Sequence, residues 1–382
     1  MINIGAAYGP RRLSERRRLW LATAVVVAAT LSANSGCSHC NEIGPDADAE
    51  ANFPRWMRQL KDPDPEKRAE AMEMVGLLSG RHSEAVAQAV SLLADPDARV
   101  RRKAAMAFGA FREAGEATRR AAEKAKPALV GALRDRDSKV REEAVASLSL
   151  LSGSTKSEVL ALAACLSDPD RGVRDAAAGA FNYLGSLGVD ATAAVPALEA
   201  AVGDPDQFVR SAAAMALGRI GAKRPSTVAA LTRAVGQGRT EMVGYGFTPA
   251  LSLGMIGPEA KSAALSLRLA LKSEDGLTRA TAAWALWRVS ADQDVAVPVL
   301  VECLGSRRNP IVATGEPPRG GTEPDTDARR LAAAALLEIS RSSAASRKVV
   351  DAALKNIPAD EAAEVTEARK TLIEDLQRPD KP

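Results

Sequence analysis

Aromatic and histidine side chains are scarce in this sequence. Aromatic residues make up 3% of the 382 residues, and histidine occurs twice. Ala, Leu and Val therefore carry most of the 46% hydrophobic content. This composition argues against one thick core of bulky side chains and suits many thin helical layers. It also leaves few platforms on which nucleic-acid bases could stack.

The body of the chain lacks a net positive charge. The formal charge is +3, but residues 1–36 contain five arginines against Glu15, a net charge of +4, which leaves −1 for residues 37–382. The body therefore has no overall positive field that would attract nucleic acid. We expect no nucleic-acid partner.

The N-terminal segment has no apolar run as long as a typical membrane span, which needs roughly 17–25 residues. The apolar run Leu19–Leu31 follows Arg11–Arg18 and precedes small polar residues. Charged, apolar and small-residue regions in this order predict a secretory signal over 1–36. An uncleaved membrane anchor is the alternative. Either interpretation predicts an exported protein of the bacterial cell envelope that meets the membrane only through its leader or a lipid.

The sequence Ser35-Gly36-Cys37 resembles the end of a bacterial lipobox, in which the cysteine receives lipid. Asn34 departs from that pattern, which usually has Leu at its position. Because Ser35 and Gly36 do match the pattern, Cys37 is a candidate lipidation site. Ordinary signal-peptidase cleavage near 32–35 is the alternative.

Cysteine and histidine are too few for a metal centre. His39 and Cys40 lie beside Cys37, but a four-coordinate zinc site would need a second ligand pair. Cys165 and Cys303 stand alone in apolar runs. We predict no metal site, and no disulfide framework follows from four such cysteines.

One phrase recurs along the chain: an acidic turn, an arginine six residues after its start, and an alanine-rich run. The arginines are Arg68, Arg101, Arg141, Arg174, Arg210, Arg279 and Arg329, and an eighth copy has Gly246 instead. A large apolar residue follows seven positions later: Val75, Phe108, Leu148, Phe181, Leu217, Leu253, Leu286 and Leu336. The spacings run from 33 to 50 residues, which indicates a repeat array.

Each repeat reads as two helices joined by the acidic turn. The second aspartate of the turn is placed to cap the next helix, at Asp97, Asp137, Asp170, Asp206 and Asp325. That helix is expected to close at a small residue such as Gly185 or Gly221. The predicted fold class is all-α, a right-handed α-solenoid (superhelix) of about eight helical hairpins.

The recurring arginine lies in the first helical turn, where the helix dipole disfavours a cation. We therefore expect it to pair with turn aspartates of its own or a neighbouring repeat, which would fix the register between layers. Binding of an acidic ligand by these arginines is the alternative. The residues of this Asp/Arg ladder are Asp62, Arg68, Asp95, Arg101, Asp135, Arg141, Asp168, Arg174, Asp204, Arg210, Arg279 and Arg329.

Three departures from the repeat are candidate partner contacts. Gly246 and Pro249 should delay a helix start to near 248–249, which leaves Tyr245 in a hinge or a ligand-approach loop. The 306–322 segment, with Arg307 and Arg308, is rich in Pro and Gly and predicts a contact loop or a surface loop. Trp284 and Trp287 are interface anchors if exposed, and local core filling if not.

The phrase DPDxxVRxxAAxALGxIG resembles the HEAT-like repeat family, in the short form also found in bilin lyases. The resemblance covers about 53–342 and implies an α-solenoid whose curved face binds macromolecules. Deoxyhypusine hydroxylase, a HEAT-like enzyme, holds two irons with His-Glu pairs. Neither histidine here precedes Glu, so we predict no catalytic residue and no cofactor.

The predicted organisation is a leader (1–36), a linker (37–52), a repeat solenoid (53–342, with an insertion at 306–322) and closing helices with a tail (343–382). The predicted function is a non-catalytic scaffold that binds another, unidentified protein. A structural envelope protein without a selective ligand, and a regulatory or lyase-like subunit acting on an enzyme, are the alternatives.

Overall fold

The structure, a computed structural model, describes residues 45–78, 82–112, 114–151, 155–236, 249–305 and 325–355. Within these ranges every regular element is helical. The chain forms two compact units that divide between Ala197 and Leu198. We call their described parts the N-terminal unit (45–197) and the C-terminal unit (198–355).

The N-terminal unit contains nine α-helices within its described residues. They are α1 (Pro45–Gln59), α2 (Pro65–Leu77), α3 (Glu84–Leu92), α4 (Ala98–Phe111), α5 (Glu116–Lys124), α6 (Lys126–Ala132), α7 (Ser138–Leu150), α8 (Lys156–Ala164) and α9 (Arg171–Ser186). Short 3₁₀ turns follow at Cys165–Ser167 and Thr192–Ala194. The second helices of its repeats are α2, α4, α7 and α9.

Helix α10 (Val195–Ala201) spans the division between the units. The helices that follow it in the described residues are α11 (Gln207–Ile220), α12 (Pro225–Gly236), α13 (Pro249–Ile256), α14 (Ala264–Ala270), α15 (Gly276–Ser290), α16 (Gln293–Gly305), α17 (Asp325–Ser342) and α18 (Ala344–Lys355). A 3₁₀ segment, Gly257–Ala263, precedes α14. The second helices here are α11, α13, α15 and α17.

Aspartate capping explains where most second helices begin. The Asp137 carboxylate accepts hydrogen bonds from the N–H groups of Lys139 and Val140, at 2.9 and 3.3 Å. This satisfies N–H groups that have no partner within the helix. The predicted caps that the structure confirms are Asp97, Asp137, Asp170 and Asp206. Helix α17 instead begins at Asp325 itself, so that predicted cap is one residue too late.

Of the two helix ends predicted at glycines, the structure confirms the one at Gly221. Gly221 caps α11 with φ +70°, the left-handed conformation that glycine adopts at little cost. Helix α9 instead continues through Gly185 to Ser186, and Gly188 has the positive φ of +70°. Helix α13 begins at Pro249, where the glycine and proline pattern predicted a late start.

The apolar position seven residues after the arginine forms the centre of both units. All eight predicted residues are no more than 1% exposed: Val75, Phe108, Leu148, Phe181, Leu217, Leu253, Leu286 and Leu336. Within the N-terminal unit each second helix packs on the next, in the order α2, α4, α7 and α9. Within the C-terminal unit the order is α11, α13, α15 and α17. The all-α solenoid fold is thereby confirmed.

Candidate functional site

The repeated arginines of the N-terminal unit bind carboxylates of the following repeat. Arg101 donates from Nε and Nη2 to Asp135 at 2.7 and 2.8 Å. Its Nη1 donates to the backbone carbonyl of Asp95 in its own turn, at 2.9 Å. The two side chains of the pair are only 6% and 11% exposed. The Arg101 guanidinium thus binds both the acidic turn of its own repeat and the acidic turn of the following repeat.

The same bidentate contact joins Arg68 to Asp95 and Arg141 to Asp168. Each of these aspartates also accepts a hydrogen bond from the N–H two residues later, as Asp135 does from Asp137 at 2.8 Å. The carboxylate therefore orders its own turn while it binds the preceding arginine. Planar guanidinium suits this geometry because two parallel N–H groups meet two carboxylate oxygens.

These contacts shift the titration of both partners. Hydrogen bonds to Asp135 and Asp168 raise the pKa of Arg101 and Arg141. Burial alone would raise the pKa of Asp135, but hydrogen bonds from Arg101 and from the Asp137 N–H outweigh it and lower that pKa. The pKa of Asp168 is lowered in the same way by Arg141 and the Asp170 N–H. Both carboxylates are therefore ionised near neutral pH.

Four other arginines of the predicted ladder lie at the same helical position. Arg174, Arg210 and Arg279 each donate from Nη1 to the first two carbonyl oxygens of their own turn. Arg279 also lies 3.6 Å from the exposed carboxylate of Glu302. Arg329 lies near the start of α17. The common contact is thus with the turn carbonyls, which the sequence prediction of carboxylate partners did not include.

The two outer aspartates of the ladder have local partners. Asp62 accepts a hydrogen bond from the Asp64 N–H at 2.9 Å and lies 3.7 Å from Lys67. Asp204 accepts one from the Asp206 N–H at 2.8 Å. Both contacts order the acidic turn in which the aspartate lies.

The solvent side of three second helices in the N-terminal unit, α4, α7 and α9, is small and apolar, whereas α2 has Glu73 at the same position. Positions five and nine after the arginine lie opposite the buried stripe. They hold Met106 and Ala110 on α4, Ala146 and Leu150 on α7, and Gly179 and Tyr183 on α9. Every one of them is partly or fully exposed. We call these six residues the second-helix face.

Charged pairs border the second-helix face. Lys103 binds Glu73 at 2.7 Å, and Arg102 binds Glu143 at 3.0 Å, both between neighbouring second helices. At the other border the Arg112 guanidinium carbon lies 5.7 Å from the Tyr183 ring centroid, within the range of a cation–π contact. A Cβ at Gly179 would meet no atom within 4 Å, so this part of the face is open. An apolar strip with a charged rim is the arrangement found at protein interfaces.

Trp284 is buried, which corrects its prediction as a partner contact. Its side chain is 4% exposed, and its Nε1 donates to Glu338 at 3.0 Å. The ring lies over Gly254, where an added Cβ would be 2.3 Å from a ring carbon. Arg288 lies 5.9 Å from the Trp284 ring centroid and donates to the Gly254 carbonyl. Trp284 therefore has the alternative role, local core filling.

Trp287 is half-buried beside a small hollow of about 280 Å³, also lined by Arg288 and Ser346. Its role as a partner contact stays a prediction. Tyr245, Arg307 and Arg308, the 306–322 segment and the lipidation candidate Cys37 all lie outside the described residues.

The described residues contain no group of three or more His, Cys, Asp or Glu side chains that could hold a metal ion. Burial raises the pKa of the Cys165 and Cys303 thiols to about 11, so both stay protonated and are poor nucleophiles. None of the helices in the described ranges combines the length and the apolar character that crossing a bilayer requires.

Comparison with known proteins identifies the repeat. A model of HEAT repeats matches residues 53–149 and 159–244. The crystal structure of an engineered protein, a Northeast Structural Genomics Consortium target, is similar with a TM-score of 0.52 and 22% identity, over 88% of this chain and 92% of that one. At that identity the likeness shows the fold alone.

A designed armadillo repeat protein is similar over 62% of this chain and 100% of its own length, with 17% identity. Its TM-score of 0.41 is too low to support an argument. No curated protein matches the chain. The recurring acidic turns and arginines, the stacked helix pairs and the matched stretches lead to one conclusion: the chain contains HEAT repeats over residues 53–149 and 159–244.

Proposed function

We propose that this protein is a non-catalytic scaffold that binds another protein through the second-helix face of its N-terminal unit. The observation that carries the proposal is the open, small and apolar strip from Met106 to Tyr183, bordered by paired charges. Repeat solenoids generally serve as protein-interaction scaffolds, since stacked helices present a continuous row of side chains.

The chemistry of the strip favours a protein over other partners. Small residues such as Ala146 and Gly179 let another backbone approach closely, while Leu150 and Tyr183 offer apolar area and an aromatic ring. Aromatic and arginine side chains are enriched at interface hot spots, and Tyr183 lies beside Arg112. Arg102 and Lys103 at the border form ion pairs, which leaves them less available for phosphate groups.

A matched pair of glycine substitutions tests the proposal. Gly179→Lys places a long cation on the second-helix face, whereas Gly131→Lys places one on α6, a first helix. A Cβ at either glycine would meet no atom within 4 Å. Both changes also replace glycine by a better helix former, so neither should unfold the chain.

The expected result is a partner retained by the wild type and by Gly131→Lys but lost with Gly179→Lys, in co-purification followed by titration of the identified protein. Retention by all three chains would contradict the proposal, as would the absence of any selectively retained protein. The second outcome would favour a structural role.

We also propose that the protein works in the bacterial cell envelope after export. The support is the order of the leader regions, Arg11–Arg18, Leu19–Leu31 and Ser32–Cys37. Mass spectrometry of the mature N-terminus tests this. A diacylated Cys37 is expected for a lipid anchor, and a free N-terminus near 32–36 would leave export but remove the lipid. An intact, unprocessed Met1 in the cytoplasm would contradict export.

A further inference from the structure

A cavity open to solvent lies between two first helices of the C-terminal unit. It has a volume of about 740 Å³ and lies between α12 and the Gly257–Ala270 segment. Val228, Ala229 and Thr232 line it from α12, and Ser262 and Ser266 line it from the other side. Short side chains on both walls leave a groove of the size that bound ligands fill.

Two leucines stand beside this hollow with their side chains in solvent. Leu265 is 71% exposed and Leu269 is 59% exposed, the two highest values among the large hydrophobic residues described. They are four residues apart and share one side of α14, and Leu269 is a neighbour of the lining residue Ser266, three residues before it. The hollow and the two leucines therefore form one apolar patch, and such patches mark interaction sites.

The patch lies in a basic stretch of the chain. Between Asp206 and Glu274 the sequence holds nine Lys and Arg residues against two Asp and Glu residues. Over 53–206 the numbers are 22 and 23, so basicity is local to this region. The near-neutral charge of the whole body conceals it.

Several of these cations are available to a ligand. Two of the cations already have a carboxylate partner: Lys223 pairs with Glu259 at 2.5 Å, and Arg268 pairs with Asp292. The exposed cations Arg224, Arg233, Lys261 and Lys272 take part in no ion pair within the described residues. Arg233 lines the hollow directly. The charged lining residues are Lys223, Arg233 and Glu259, a net charge of +1, which an acidic partner would neutralise.

We propose that this hollow binds an acidic amphipathic helix of a partner protein. Apolar side chains of that helix would fill the groove and contact Leu265 and Leu269, while its carboxylates would meet Arg233 and the neighbouring cations. Docking of an amphipathic helix into an apolar groove is a common mode of peptide recognition. Residues line the cavity from two sides, Ala229 and Thr232 on α12 and Ser262 and Ser266 opposite them, which suits a rod-shaped helix better than a flat bilayer.

This surface goes beyond the proposed function, because it belongs to the first helices of the other unit. Its test does not involve Gly179, so the two proposals can fail independently.

The experiment measures fluorescence anisotropy of a labelled synthetic helix with Leu at every third or fourth position and Glu elsewhere. The comparison peptide has Lys in place of every Glu. We expect the acidic peptide to bind roughly tenfold more tightly or better, with an affinity that falls as salt is added.

Matched variants locate the binding. Arg233→Glu and Leu269→Asp should each weaken binding of the acidic peptide by roughly tenfold or more. The controls Arg119→Glu, an exposed position on α5, and Leu187→Asp, 58% exposed just after α9, should change it less than about twofold. Circular dichroism of each variant reports whether the helices remain.

Three results would overturn the proposal. The first is no binding of the acidic peptide, or equal binding of the lysine peptide. The second is wild-type affinity in Arg233→Glu and Leu269→Asp. In the third, the wild type binds phosphatidylglycerol vesicles but not the peptide, and both variants abolish the vesicle binding. This result would assign the patch to an anionic membrane.

Discussion

The N-terminal unit repeats one contact between neighbouring turns, whereas the C-terminal unit changes it. Arg68, Arg101 and Arg141 each bind the first aspartate of the next turn. In the C-terminal unit Gly246 stands at an arginine position, and Ser273 stands where the next turn would supply the carboxylate. Both partners of that contact are therefore missing together. Removing one partner of a buried ion pair costs far more than replacing both, so the absence of both at this junction is the less costly arrangement.

The solvent side of the second helices differs between the units as well. Position five after the arginine is exposed or half-buried at Met106, Ala146 and Gly179. The equivalent Met215, Leu251 and Trp284 are 1%, 6% and 4% exposed. The C-terminal unit thus buries position five on α11, α13 and α15, which the N-terminal unit leaves open, and its open apolar patch lies on the first helices instead.

The largest expected effect is the loss of one buried arginine. Arg101→Ala leaves Asp135 buried without its cation and should lower the free energy of unfolding by about 3–5 kcal/mol. Arg279→Ala removes hydrogen bonds to two turn carbonyls and a long contact to exposed Glu302, so about 1–2 kcal/mol is expected. Urea denaturation followed by circular dichroism compares the two. Equal losses would show that the carbonyl contacts, and not the Asp135 pair, carry the stability.

Replacing both partners sharpens this comparison. Arg101→Met combined with Asp135→Leu removes the buried charges together and should recover most of the stability lost in Arg101→Ala. A double variant as unstable as the single one would mean that the ion pair contributes more than its desolvation costs.

Glycine packing gives the next largest contrast. An added Cβ at Gly254 would lie 2.3 and 2.7 Å from atoms of the Trp284 ring, whereas one at Gly109 would lie 3.4 Å from Ser147. Gly254→Ala should therefore destabilise by about 1–3 kcal/mol through overpacking. Gly109→Ala should be neutral, or stabilising by about 0.5–1 kcal/mol, because alanine favours the helix. Thermal unfolding of both variants measures these changes in stability, and Trp fluorescence of Gly254→Ala reports on the environment of the Trp284 ring.

The regular features of this fold could be predicted from sequence because each is set by local chemistry or by the repeat spacing. Capping by Asp137 and Asp206 needs only neighbouring N–H groups. Burial of Phe108 and Leu286 follows from their fixed offset after the arginine. Gly185 failed as a helix end because the helix could continue one residue further and use Gly188.

The candidate surfaces could be predicted only in part, because exposure depends on neighbours from other repeats. Trp284 is buried only because Gly254 leaves room for its ring and Glu338 accepts its N–H. No local pattern indicated Glu338, which lies 54 residues away. The basic region beside Leu269 did have a sequence signal, since local charge counts reveal it where the total does not.

Acid should weaken the N-terminal unit through its ionised aspartates. The pKa values of Asp135 and Asp168 are lowered in the folded chain, so their contribution is present above the unfolded value of about 3.9 and is lost as pH falls through the folded values. The urea midpoint should therefore fall between pH 7 and pH 3. In the Asp135→Asn, Asp168→Asn double variant this fall should be smaller. An unchanged pH dependence would show that other carboxylates govern acid unfolding.

Helix caps should have the smallest effects and should not differ between the units. Asp137 caps α7 in the N-terminal unit through the N–H of Lys139, and Asp275 caps α15 in the C-terminal unit through the N–H of Thr278 at 2.7 Å. Since the cap uses only atoms of its own turn, Asp137→Ala and Asp275→Ala should each cost about 1 kcal/mol. Urea denaturation of both variants, each with an Asn substitution as the control that keeps the cap, measures this. A cost at Asp137 several times that at Asp275 would mean that capping is coupled to the neighbouring Arg101–Asp135 pair, and the difference between the units would then extend to the turns themselves.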